Sequence, residues 1–217
     1  SYHGKSFGAL SLTFNPKYKK AFAPLVEKVS FASFVDMDSL RSVIDEDTAC
    51  IILEPIQGES GIIVAPDGFL QEVRNLCNEK GILLIFDEIQ AGLGRTGRLW
   101  AGEHWNTTPD ILCLAKGIAG GVPMGATLVR PDILAAISKG EHSSTFGGNP
   151  ISCAAGIAAL TSITEDGLIE NSKKMGEIFR EGLEKLKEKH TMIRDIRGKG
   201  LMIGIEMKFE LKYILMG

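Results

Sequence analysis

The chain has 217 residues, 44% hydrophobic and 24% charged, with a formal net charge of −3. That length allows one or two domains with a sizeable core, and the composition is that of an ordinary soluble protein. An acidic balance without a Lys/Arg run argues against a nucleic-acid binder; with neither an apolar run long enough to span a bilayer nor a signal peptide in view, no membrane role and a cytoplasmic location are expected. The four cysteines (Cys50, Cys77, Cys113, Cys153) form no CxxC and sit in apolar surroundings, so free core thiols in a reducing compartment are expected.

Taken in order, residues 1–15 read as a strand end or loop, Lys17 to Leu25 as a short helix and Val29 to Val35 as a strand. Asp36 to Asp45 reads as a helix capped by Asp36, with Met37, Leu40, Val43 and Ile44 on one face. Ala49 to Leu53 is a buried strand ending at Glu54-Pro55, and the loop Gln57 to Gly61 follows. Phe69 to Glu79 is a helix started by Pro66 and Asp67 and stopped by Gly81. Ile82 to Phe86 is a fully apolar strand that stops at Asp87-Glu88. After a glycine-rich loop, Ile111 to Ala115 is a second such strand, stopping at Lys116. Ala126 to Val129 is a short strand, Pro131 opens a short helix, and His142 to Pro150 is a polar loop. Ile151 to Thr164 is apolar nearly all round and is expected to be a buried helix. Leu168 to Lys189 is a long amphipathic helix, Arg197 to Gly200 a turn, and Leu201 to Met207 an alternating strand.

Strands alternating with helices predict an α/β fold with a mostly parallel sheet. The composition shifts from Gly-rich to Lys/Glu-rich after residue 165. A boundary near 190 is expected, with a large domain over 1–190 and the beginning of a small α+β domain over 191–217. Residue 1 is Ser, and Leu211 to Gly217 read as an amphipathic helix cut short, so a partial chain is expected.

In open α/β sheets, ligands bind at the carboxyl ends of the strands. One strand ends in acids and another in an amine. A lysine that loses solvation at a buried strand end has a lowered pKa and can form a Schiff base. Gly117 and Gly120-Gly121 leave room beside Lys116 for a cofactor. A pyridinium cofactor needs a carboxylate at its ring nitrogen, which Asp87 can supply. Glu88 then reads as a structural partner for backbone or an arginine. The loop Ser143 to Asn149 offers hydroxyls and N–H groups ahead of a helix, suited to a phosphate or to plain N-capping. Three generic signals are weaker. Gly92 to Gly97 matches GxGxxG, but it follows no strand directly and opens no helix. Gly4-Lys5-Ser6 resembles the tail of a P-loop and Phe86-Asp87-Glu88 a Mg²⁺-binding strand end, which makes a P-loop nucleotidase the rival from another class. Phe7 to Thr13, however, does not read as the helix a P-loop feeds. The four histidines show no metal-ligand spacing.

Several stretches carry a resemblance over essentially the whole length: Tyr2-His3-Gly4-Lys5, Leu53 to Glu59, Phe86 to Gln90, Gly92 to Gly97, Pro109 to Ile111, Leu114 to Gly117, Ser144 to Pro150 and Arg197 to Leu201. In that order they resemble the class III (acetylornithine/ornithine-type) pyridoxal-phosphate aminotransferases. The resemblance implies the type I transferase fold, a mostly parallel mixed sheet flanked by helices with a small C-terminal α+β domain, in a homodimer that uses pyridoxal 5′-phosphate. It implies that Lys116 forms the internal aldimine and shuttles a proton, that Asp87 pairs with the pyridine nitrogen, and that Glu88 and Gln90 lie with the cofactor, Gln90 near the ring hydroxyl. Tyr2 and Ile89 would cover the two ring faces, Thr145 would bind the phosphate of the partner's cofactor, Ser144 would lie by the substrate, and Glu59 matches a gating glutamate. Lys5 stands where most amino-acid-specific members carry the arginine that clamps a substrate carboxylate, a departure shared with putrescine-type members. A family phosphate loop would precede residue 1 and a glutamate-binding arginine would follow residue 217, so poor activity of this chain alone is expected. Leu10 to Val26 most resembles archaeal and thermophile enzymes of arginine and lysine biosynthesis. These act on acetylornithine, or on lysine or ornithine held by a LysW-type carrier protein, with glutamate and 2-oxoglutarate as the other pair. A diamine aminotransferase is the rival within the class.

Overall fold

The protein, described here over residues 1–208 of a computed structural model, opens with a helical N-terminal segment. α1 (Phe7–Leu12) precedes α2 (Pro16–Lys19), which tightens into a 3₁₀ turn at Lys20–Phe22. α1 replaces the loop expected at 1–15. It has no side-chain cap and is held by burial of Leu10 and Ser11, a tertiary cause that local sequence does not reveal. The strand expected at Val29–Val35 is absent, and that segment is irregular. α3 (Met37–Ser42) starts at Asp36, whose carboxylate accepts the Ser39 N–H at 2.8 Å, as the pattern predicts.

β1 (Cys50–Leu53) enters the main sheet. β2 (Ile56–Gln57) and β3 (Ile63–Val64) form a small antiparallel pair around the loop at Gly58–Ile62. α4 (Phe69–Lys80) buries Phe69, Leu70, Val73, Leu76 and Cys77, the stripe expected of a helix on a sheet, and ends on left-handed Gly81. β4 (Leu83–Asp87) and β5 (Ile111–Leu114) are the two apolar runs, with a 3₁₀ turn at Ala101–Trp105 between them. β6 (Ala126–Val129) completes a sheet of order β1-β4-β5-β6. The pairs β1–β4 and β4–β5 are parallel, while β6 runs antiparallel to β5. The fold class is therefore α/β with a mixed sheet, mostly parallel, flanked by helices.

Inward residues of these strands (Leu84, Phe86, Leu112, Leu114) form the core with α4 and Trp105. The edge opposite the site is locked by buried Asp110, which accepts the Leu84 N–H and pairs with Arg74 at 2.8 Å and Arg130 at 2.5 Å. Burial alone would raise this carboxyl; the Leu84 and Arg74 hydrogen bonds and the two guanidinium charges outweigh it and hold the pKa below the usual range.

α5 (Pro131–Leu134) and the polar loop lead to α6 (Pro150–Glu165), capped by Asn149, whose side chain accepts the Ser152 N–H at 2.9 Å. α6 is not the buried helix expected. Only Ser152 and Gly156 are buried, and Ile151 and Ile157 are 77% and 69% exposed. A helix apolar all round has no inward face encoded by its pattern, and here just one side meets the body. α7 spans Leu168–Lys189, the residues predicted. β7 (Ile193–Lys199) and β8 (Met202–Met207) form a separate antiparallel hairpin. Arg197 to Lys199 thus belong to a strand, and the turn falls at Gly200-Leu201. The hairpin presses on the body through glycine: a Cβ on Gly176 of α7 would overlap the Gly200 carbonyl, and one on Gly200 would collide with the backbone at Arg95–Thr96. The helix read at Leu211–Gly217 lies outside the described residues. Among the described residues no helix is long and apolar enough to cross a membrane. Cys50 is exposed, contrary to the core-thiol reading, whereas Cys77 is buried.

Candidate active site

The carboxyl end of β4 is densely partnered. Asp87 is buried, with Oδ2 2.8 Å from Nδ1 of buried His3 and Oδ1 accepting the Ile89 N–H at 3.0 Å. His3 is positioned in turn by its own N–H, which donates to Thr13 Oγ1 at 3.0 Å. Glu88 is also buried, and its two oxygens accept the Ala101 and Gly102 N–H groups at 2.6 and 2.8 Å. Both oxygens are thus engaged by backbone N–H groups. Burial pushes this carboxyl up to about 7 against the pull of those two N–H donors. Glu54, buried at the end of β1, accepts the Tyr2 N–H at 3.1 Å and the Gly58 N–H at 3.0 Å. It ties the N-terminal segment to the Gly58 loop.

The end of β5 differs. Leu114 is buried, but Lys116 lies on the surface of a pocket and is exposed, not buried as expected from its place after an apolar strand. It sits at φ 51, a left-handed conformation that a non-glycine residue adopts at a cost of about 1 kcal/mol. Partial desolvation lowers the pKa of its amine, and the nearby Arg95 charge lowers it further. Asp87, Glu59 and Glu54 act on it in the opposite direction.

The pocket encloses about 220 Å³, with Lys116, Gln90 and Arg95 among its walls, facing Ile62 and the hairpin residues Leu201–Ile203. Gly58 packs so closely on Gln90 that a Cβ there would overlap its side-chain amide. Among the sequence-predicted site residues, Lys116 and Gln90 line this pocket; Asp87 and Ile89 stand at the adjoining strand end. Tyr2 stacks edge-on against Tyr18 with ring centroids 5.9 Å apart. Lys5 is exposed, its ammonium 5.2 Å above the Tyr18 ring. Glu59 is exposed on its loop, and Ser144 and Thr145 are exposed in the loop before α6, outside the pocket walls. The sequence pattern of Phe7 to Thr13 predicts no helix after Gly4-Lys5-Ser6, which is what counts against a P-loop. That ground fails, since α1 does follow Gly4-Lys5-Ser6.

Sequence reasoning missed His3, Glu54 and Arg95. His3 lies 84 positions from Asp87 in the chain, and no spacing rule joins them. Glu54 and Arg95 were visible only as members of longer stretches. Among the described residues no cluster of three or more His, Cys, Asp or Glu could hold a metal ion.

Residues 1–214 match the family described as Aminotransferase class-III. The acetylornithine aminotransferase of Methanopyrus kandleri is 45% identical over 206 residues, covering 95% of this chain and 52% of that protein. The ornithine aminotransferase of Toxoplasma gondii ME49 superposes with a TM-score of 0.92 at 37% identity, covering 96% of this chain and 50% of that one. An amine transaminase from an uncultivated Pseudomonas species, solved in its PLP-bound form, gives a TM-score of 0.88 at 32% identity over 95% of this chain and 53% of that one. The chain thus spans about half the length of the curated relatives it matches. By motif order, fold and family match together, the chain belongs to the class III aminotransferases.

Proposed function

We propose that the protein is a pyridoxal-phosphate-dependent aminotransferase that takes the terminal amino group of acetylornithine or ornithine and passes it to 2-oxoglutarate, in arginine biosynthesis. The observation that carries this reading is the pairing of an anchored acid and an unpartnered amine at the ends of two adjacent parallel strands, beside a pocket of ring size. The names of the relatives support the substrate class.

The donor set fits the cofactor. Asp87 has its carboxylate oriented from behind by His3 and Ile89, which suits it to hold a proton on a ring nitrogen. A Cβ built on Gly117 would meet nothing nearer than 3.9 Å, so space is open beside Lys116. When bound, pyridoxal phosphate supplies a carbonyl that condenses with amines and a ring that withdraws electrons. Lys116 would hold it through Nζ and would carry a proton to and from the substrate carbon; burial and the Arg95 charge lower the pKa of this amine, the direction that work requires. In this reading Gln90, packed against Gly58, would hydrogen-bond a ring substituent, and Tyr2 and Ile89 would cover the ring. Glu88 serves the fold of the β4 end. Thr145, exposed ahead of α6, would bind the phosphate of the cofactor in a partner subunit, and Ser144 beside it would lie by the substrate. The exposed apolar side of α6 supports a homodimer. The hairpin β7–β8 opens a second domain after a large domain ending near 190. A LysW-type carrier as the substrate's bearer is a narrower version of the same reading.

Lys5 favours one alternative, a diamine aminotransferase, because an ammonium held over Tyr18 offers no carboxylate fork. A donor panel on the full-length gene product (acetylornithine, ornithine, lysine, putrescine, 4-aminobutyrate) with Lys116→Ala as control decides. Acetylornithine or ornithine activity lost in Lys116→Ala is expected; putrescine activity without either overturns the ranking.

A further inference from the structure

Four arginines of the described chain are spent on carboxylates: Arg74 and Arg130 on Asp110, Arg194 on Glu206, and Arg197 on Asp195 and Glu206. Arg95 differs. No carboxylate among the described residues pairs with it, and its side chain is exposed in the pocket that also holds Lys116. A Cβ built on Gly117, next to Lys116, would lie 4.0 Å from an Arg95 guanidinium nitrogen.

The backbone beneath this free cation is fixed. The Arg95 carbonyl accepts the Leu201 N–H at 3.0 Å and the Ser172 hydroxyl at 2.7 Å. The turn is bracketed by Gly94 and Gly97, both at φ 83, and Gly200 is pressed against its peptide planes. A rigid base with an unpartnered planar fork is the arrangement suited to recognising a carboxylate, since little ordering remains to be done on binding. The pocket's other polar walls offer an amide and the reacting amine; the rest is apolar. Lys5 lies outside these walls.

Resting on the reading above, we propose that Arg95 is a specificity-determining residue that binds a carboxylate of the amino-acid substrate in the Lys116 pocket. The depressed basicity of Lys116, to which Arg95 contributes, agrees with the two cations sharing one space.

The test uses a matched pair on the full-length, cofactor-loaded gene product: acetylornithine and its decarboxylated analogue N-acetylputrescine. Their saturation is followed by the change in cofactor absorbance, so slow turnover does not hide binding. Arg95→Gln is expected to collapse the preference for the carboxylate-bearing donor on the order of 10- to 100-fold, as loss of a charge-assisted hydrogen bond requires. Half-saturation by the analogue and the affinity for pyridoxal phosphate should stay within threefold, and Arg95→Lys should restore part of the preference. Equal losses for both donors, an unchanged preference, or a matching loss of cofactor affinity each overturn the proposal; the last assigns Arg95 to the cofactor's phosphate. Absence of cofactor absorbance in the wild type would instead sink the underlying aminotransferase reading.

Discussion

The carboxyl ends of β4 and β5 lie side by side in one sheet, with Asp87 in register with Cys113, yet they are finished in opposite ways. At β4 each acid is buried and both oxygens of each have partners: His3 and Ile89 for Asp87, Ala101 and Gly102 for Glu88. At β5 the lysine is exposed and left-handed, without a carboxylate partner among the described residues. The difference separates two demands of the proposed chemistry. An acid that holds one proton on a ring must not move, whereas an amine that is repeatedly attached and displaced must remain free to swing. Order is invested at one strand end and strain at the other.

Five changes break or sharpen that contrast. Lys116→Ala removes the mobile group and leaves the ordered one, so turnover should fall by at least on the order of 10³-fold, while the unfolding temperature moves by less than about 2 °C because the side chain is exposed. Asp87→Asn attacks the ordered end. It should cost on the order of 10²-fold in kcat, and it should also destabilise the fold by about 1–3 kcal/mol, because His3 loses a buried charged partner; paired rate and urea-unfolding measurements read both. His3→Gln should show a smaller rate loss, about tenfold, with KM for the donor nearly unchanged.

The fourth change concerns pH. The Glu88 carboxyl rises from an ordinary 4.5 to about 7 in the folded protein, chiefly by burial. The folded state therefore holds this proton more tightly than the unfolded one. Its contribution is complete below about 4.5 and is lost as pH rises through about 7, a swing of about 3 kcal/mol. Denaturant titrations from pH 4.5 to 8 should show the wild type losing stability relative to Glu88→Gln over that window; parallel curves contradict the assignment. The smallest effect is expected for Gly58→Ala. The added methyl displaces only the flexible end of Gln90, so KM should change a few-fold with stability nearly intact.

Elements whose periodicity matched one environment were legible in the sequence. The apolar runs at 82–86 and 111–115 became the central strands, and α7 occupies the residues its amphipathic stripe marked. Asp36 and Gly81 announced their caps. Elements decided by tertiary contacts were not. α1 is held by Leu10 against the body, and Val29 to Val35 has strand-forming residues but no strand beside it. The uniform apolarity of α6 predicted burial on every side, which one chain does not supply. Within the site, Asp87 and Lys116 stood out because each ends an apolar strand. His3 did not, because what makes it matter is a 2.8 Å approach between residues far apart in the chain. Lys116 was expected buried because its strand is; the left-handed turn that brings it out leaves no trace in residue type.

The most direct measurement of the central claim is chemical. Pyridoxal phosphate is added to the full-length gene product, the adduct is fixed with borohydride, and the modified lysine is located by peptide mass spectrometry. The pyridoxyl group is predicted on Lys116, with none recovered in Lys116→Ala; modification at Lys5 or Lys199, or spread evenly over surface lysines, would contradict the account.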